Sequence, residues 1–150
     1  MNTAEIRVIL RKICKDSFLG VFARDRLPTK LPPRRPLMLV CNTDAYKMPG
    51  KHWIVIYIGE DSQGEYFDSA GAPPLREFAS FLDIFSNSWT FNDIKLQSVI
   101  SFVCGHYCIM YCILRYLNYD MIDIVACFTD DTTLNDVIAH NFVCSKVKNY

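Results

Sequence analysis

No apolar run in this sequence approaches the ~18 residues that a membrane-spanning helix needs, so no membrane partner is expected. A signal-peptide core is missing too. Met1 to Leu10 is short and polar, and Arg11-Lys12 interrupts it. Net charge is absent, with 16 basic residues against 16 acidic ones. No internal repeat or low-complexity tract is visible, which argues against a repeat array. No CxxC pair occurs among the seven cysteines, which argues against a zinc site. Seven is also an odd number, ill-suited to a secreted disulfide framework, so the expected setting is reduced and intracellular. Histidine is scarce: only His52, His106 and His140 can serve as an imidazole base.

What remains is 150 residues, 51% of them hydrophobic, which fits one globular domain over 1–150 with a sizeable core. Charge is unevenly spread. Residues 1–36 hold nine basic residues against three acids. That basic third could touch nucleic acid, but with no aromatics interleaved a solvated surface with internal salt bridges is the better reading.

Hydrophobic spacing sets the expected elements. Ala4 to Leu10 suits an amphipathic helix capped by Asn2 or Thr3. A turn signal interrupts Phe18–Phe22, and the prolines of Leu27 to Pro36 require extended backbone. Leu37–Cys41 and Trp53–Ile58 read as strands, and Glu65–Asp68 returns as the hairpin partner of the second. Leu75 to Phe85 has helical spacing, Ser86–Asn92 is expected as a loop, and Ile94 and Leu96 as a short strand. A long helix opens at Cys104 and runs to about Asn118. Met121–Phe128 and Leu134–Val147 are further helical segments, the last capped by Thr132 or Thr133. The fold class is α+β, with a hairpin packed on a buried central helix.

Chemistry concentrates in Gln97–Cys112, QSVISFVCGHYC in its first twelve residues. Cys104, Cys108 and Cys112 recur every four residues, but only Cys104 falls at the helix N-terminus. Unpaired N–H groups and the helix dipole there favour a thiolate. Gly105 beside it would let a substrate backbone come close. Cys108 and Cys112 are expected as small core residues. His106 is two positions from Cys104 on the same helix and faces away, and His140 suits a surface. His52 stands at a strand entrance and Asp68 at the partner strand's exit, so the hairpin delivers both to one end. Asp68 can orient the imidazole of His52. Gln97, seven residues before Cys104, can join the Cys104 N–H in binding an oxyanion. Trp53 can wall the cleft.

This ordered set resembles the adenovirus-type cysteine proteases, especially those of Maverick/Polinton DNA transposons and related viruses. Phe18-Leu19-Gly20, Asn42-Thr43-Asp44, Gly50, His52-Trp53, Tyr66-Phe67-Asp68-Ser69, Gln97-Ser98 and Cys104-Gly105 follow in that family's order. The resemblance implies a papain-like, circularly permuted fold in which a buried nucleophile helix meets a small mixed or antiparallel sheet. It implies Cys104 as nucleophile, His52 as base, Asp68 as orienting acid and Gln97 as oxyanion donor, with Asn42, Gly50, Trp53 and Gly105 lining the cleft. The implied substrates are capsid or core precursor proteins cut after Gly or small residues, in the host nucleus or virion. No cofactor is required for the chemistry. Activation by a peptide or DNA is part of the family picture, but no cysteine lies between Cys41 and Cys104 to carry a disulfide-linked activator. Two other readings stay open. Proteases of ubiquitin-like modifiers share the motif set, usually with a shorter Gln-to-Cys gap and an Asp where this chain has Val103. A non-catalytic module whose basic third contacts nucleic acid is the other.

Overall fold

The computed structural model describes residues 1–148. Its centre is a five-stranded mixed sheet with strands in sequence order. These are β1 (Phe18–Ala23), β2 (Leu37–Asn42), β3 (Trp53–Ile58), β4 (Gln63–Phe67) and β5 (Ser88–Phe91). The β2–β3 and β3–β4 pairs are antiparallel, whereas β1 on β2 and β5 on β4 are parallel. Five helices surround it: α1 (Thr3–Cys14), α2 (Arg76–Phe85), α3 (Cys104–Tyr116), α4 (Met121–Ala126) and α5 (Thr132–Lys148).

The apolar runs of β2 and β3 are continuous rather than alternating, and the reason is burial on both faces. Met38, Val40, Val55 and Tyr57 pack with α1, α3 and α5. Leu39, Cys41, Ile54 and Ile56 point the other way, onto Phe78, Phe81 and Leu82 of α2. The arrangement is therefore α+β with helices on both sides of the sheet. From Tyr107 to Ile113, α3 is buried on every side, as its uninterrupted apolar and cysteine content requires. It ends where Asn118 turns left-handed (φ 68°) and the Tyr119 N–H reaches back to Leu114 O.

Several boundaries differ from the sequence expectation. Phe18–Ala23 is a strand despite its internal turn signal, since Gly20 is taken up in a register shift against β2. Ser88–Phe91, expected as loop, adds to β4 as an edge strand; Trp89 and Phe91 are its inward-facing positions. Ile94 and Leu96 form no strand. That stretch hangs on Ser69, whose carbonyl accepts from both Leu96 N and Gln97 N at 2.9 Å. Asn2 caps α1 in a capping box with Glu5. For α5 the cap is Asp131 rather than a threonine: its carboxylate accepts from Thr133 N and Leu134 N. A carboxylate has no proton to place and accepts both bonds at once.

Several basic residues of the N-terminal third serve the chain itself. Arg34 donates to Asp16 O, Arg35 donates to Pro32 O, and Arg24 stands 3.8 Å from Glu77. Among the described residues no helix is long and apolar enough to cross a membrane. No cluster of three potential metal ligands occurs among them either.

Candidate active site

The β3–β4 hairpin supplies two of the groups. Its register sets Val55 opposite Phe67, so Asp68 falls level with Ile54 and one pleat from His52. His52 Nε2 lies 2.5 Å from Asp68 Oδ1. The Cys104 thiol stands close enough to His52 that each group shifts the titration of the other. Hairpin end and α3 N-terminus thus converge, and His52 sits between a carboxylate and a thiol.

Cys104 is 8% exposed, and burial alone would push its thiol up. The net direction is nevertheless down, because His52 and the backbone N–H groups of Trp53 and Gly105 favour the thiolate. His52 shows the converse. Burial works against its charge, yet Asp68 and Cys104 raise its pKa to about 9. Both shifts run in the direction that favours charge on the thiol and on the imidazole. The other buried thiols move the opposite way: burial drives Cys14 to about 12 and pushes Cys41, Cys108 and Cys112 up. All seven cysteines are unpaired thiols. At position 103 the helix N-cap is Val, which offers no side-chain acceptor. His106 N donates to Val103 O, so the N–H groups of Cys104 and Gly105 are the first-turn donors left for the sulfur and for whatever approaches it.

Two residues that sequence reasoning did not single out hold the site together. Asn92, buried after β5, grips Asp68 by its backbone: Asp68 N donates to Asn92 Oδ1 (2.8 Å) and Asn92 Nδ2 donates to Asp68 O (2.7 Å). An Asn after an unrecognised edge strand carries no sequence signal. Ser69 Oγ donates to Gln97 Oε1 at 2.6 Å, which fixes the amide orientation. Its place in the Tyr-Phe-Asp-Ser motif was visible, but its task was not. Gln97 Nε2 donates to Ser101 O (3.1 Å) and Ser101 Oγ (3.0 Å). Oxyanion binding by Gln97 therefore requires it to exchange a Ser101 partner for a substrate oxygen.

Asn42, Gly50 and Trp53 line one pocket of about 220 Å³, together with Val21, Tyr46 and Met48. Gly50 has φ +83°, and a Cβ there would meet the Asn42 amide at 2.8 Å. The face of Gly105 that a Cβ would occupy is turned to Met1 (3.2 Å) and Trp53 (3.5 Å), so packing within the chain already uses that space. His106 indeed turns away from the sulfur, and its ring lies 5.0 Å from that of exposed His140.

No protein-family model matches the chain, and no curated protein sequence matches it. Solved structures do. One crystal structure of ASFV pS273R protease aligns over 93% of this chain and 66% of its own, with a TM-score of 0.65 and 19% identity. A selenomethionine crystal structure of ASFV pS273R protease aligns over 73% of this chain and 44% of its own, with a TM-score of 0.54 and 24% identity. The chain shares that protease's fold. It spans less than two thirds of the length of either solved chain.

Proposed function

We propose that the chain is a cysteine endopeptidase. The observation that carries this reading is the position of His52, 2.5 Å from Asp68 and beside the Cys104 thiol at the mouth of α3. The fold shared with ASFV pS273R protease supports it.

The Cys104 proton passes to His52, and Asp68 stabilises the resulting imidazolium. The thiolate attacks the scissile carbonyl carbon. The oxyanion is met by the Cys104 N–H and by Gln97 Nε2 once released from Ser101. His52 returns its proton to the departing amine as the C–N bond breaks, leaving a thioester on Cys104. His52 then takes a proton from water, whose oxygen displaces the sulfur and frees the acid. No cofactor enters these steps.

The ordered motifs favour the adenovirus-type branch, as found in viruses and Maverick/Polinton transposons. Its substrates would be capsid or core precursors cut beside Gly or small residues. Digestion of a peptide library by the purified chain, without DNA or activating peptide, tests this. Cleavage beside Gly that vanishes in Cys104→Ala is the expected result. Turnover confined to conjugates of ubiquitin-like modifiers would overturn the substrate class, and cleavage surviving in Cys104→Ala would overturn the mechanism.

A further inference from the structure

The Gln97 amide is held from both ends by the chain itself. Its oxygen accepts from Ser69 Oγ at 2.6 Å. Its nitrogen donates to Ser101 O at 3.1 Å and to Ser101 Oγ at 3.0 Å. An amide NH2 group carries two hydrogens, so both are spent on one residue. Ser101 Oγ is oriented in turn by donating to Ser98 O at 3.3 Å, the same oxygen that accepts from Ser101 N. Ser69 is buried, and its carbonyl also accepts from Gln97 N. The amide plane is thus fixed by Ser69, and its donor edge is covered by Ser101. The covering turn can shift at little cost. Val99 is 80% exposed and Ile100 83%, so moving them uncovers no apolar core. The bond that anchors the start of the turn, from Ser98 N to Asp136 Oδ1, is long at 3.4 Å.

Resting on the protease reading, we propose that Ser101 is a positioning residue that holds the oxyanion donor Gln97 in a resting state, so that breaking this hold is part of the catalytic rate. A scissile carbonyl oxygen carries little charge before attack and a full negative charge after it. The competition between Ser101 and substrate for Gln97 Nε2 is therefore decided at the transition state. Its cost falls on kcat rather than on KM. Removing Oγ alone frees one amide hydrogen. The Ser101 carbonyl and Ser69 Oγ remain, so the amide keeps its orientation. The native hydroxyl slows the enzyme, the opposite of what a hydrogen bond that aims a catalytic group does.

The test compares the native chain with Ser101→Ala, Ser101→Thr, Gln97→Ala and Gln97→Ala/Ser101→Ala on one cleavable Gly-containing peptide. In Ser101→Ala we expect kcat to rise about fivefold, equivalent to about 1 kcal/mol, with KM within about twofold. Ser101→Thr keeps an Oγ and brings kcat back toward the native value. In the Gln97→Ala background the Ser101→Ala step has no effect, because its route runs through the amide. A merely structural role would not show that dependence. An equal or lower kcat in folded Ser101→Ala, or a rise that survives Gln97→Ala, overturns the proposal. Hydrogen exchange of the Gln97 side-chain amide, followed by NMR on isotope-labelled chain, reads the hold without any hydrolysis. Exchange should be slow in the native chain and faster in Ser101→Ala; equal exchange overturns the hold. If neither chain cleaves any peptide while that exchange difference is present, the protease reading falls and the hold on Gln97 stands. Cleavage by the native chain with no Ser101 effect does the reverse.

Discussion

Cys104, Cys108 and Cys112 are chemically the same residue on one helix, and their surroundings alone separate them. At Cys108 and Cys112 burial, with smaller repulsion from neighbouring acidic groups, raises the thiol pKa; Cys104 adds an imidazole and two backbone N–H groups that outweigh its burial. Iodoacetamide should therefore modify Cys104 ahead of the buried thiols, as read by peptide mapping. In His52→Ala the main lowering contact is gone, so the alkylation midpoint should move to higher pH. Equal labelling of Cys104 and Cys108 would sink the assignment. The pair also sets a pH window. The reactive form needs the thiolate, lost as pH falls through the lowered Cys104 value, and the imidazolium, lost as pH rises through about 9. A bell-shaped kcat/KM profile follows, with limbs belonging to the coupled pair rather than to either residue. A profile still rising above pH 10 would contradict it. Asn92 lies outside this pair yet bears on it. Asn92→Ala strips two partners from the buried Asp68 backbone, so kcat should fall while KM holds, with a stability loss of about 1–3 kcal/mol. Unchanged kcat in a folded variant would remove Asn92 from the positioning role.

Among the elements, α3 has two jobs at its two ends. Its N-terminus holds the sulfur. Near its C-terminus, Arg115 Nε lies 3.1 Å from Glu65 Oε2 on β4 and its guanidinium lies over Tyr57 on β3. Tyr111 OH donates to the same Glu65 oxygen. Burial raises the Glu65 pKa, and Tyr111 and Arg115 work to lower it. Arg115→Ala would leave a largely buried carboxylate without its cation, a loss of about 3 kcal/mol visible in thermal or denaturant unfolding. Since the pair sits at the far end of the helix, Cys104 alkylation in the folded variant should keep its pH dependence. The long periodic elements, α3 and the β3–β4 hairpin, were legible because their spacing repeats over many residues. Strand β5 was not. Its four residues are half exposed, and what makes it a strand is the unpaired edge of β4. The Ile94–Leu96 segment erred in the other direction: its apolar alternation is real, but its backbone donors go to Ser69 and not to a ladder.

At the scale of the molecule, the site is a meeting of distant segments: residue 52 before one strand, 68 after the next, 92 beyond an edge strand, and 97–104 at the entry to the central helix. The α+β class followed from the order of the periodic elements; that helices cover both faces of the sheet, and so bury β2 and β3 on both sides, is a finding of the structure. The sequence by itself determined the residue types available for catalysis, their order, and the elements whose burial pattern repeats. Tertiary structure alone decided that the contacts of Cys104 outweigh its burial, that Asn92 grips Asp68, and that Ser101 occupies the Gln97 amide. The reason is physical: a pKa or a hydrogen bond depends on atoms a few ångströms away, whatever their distance along the chain, and spacing in sequence carries that information only within one helix or one hairpin.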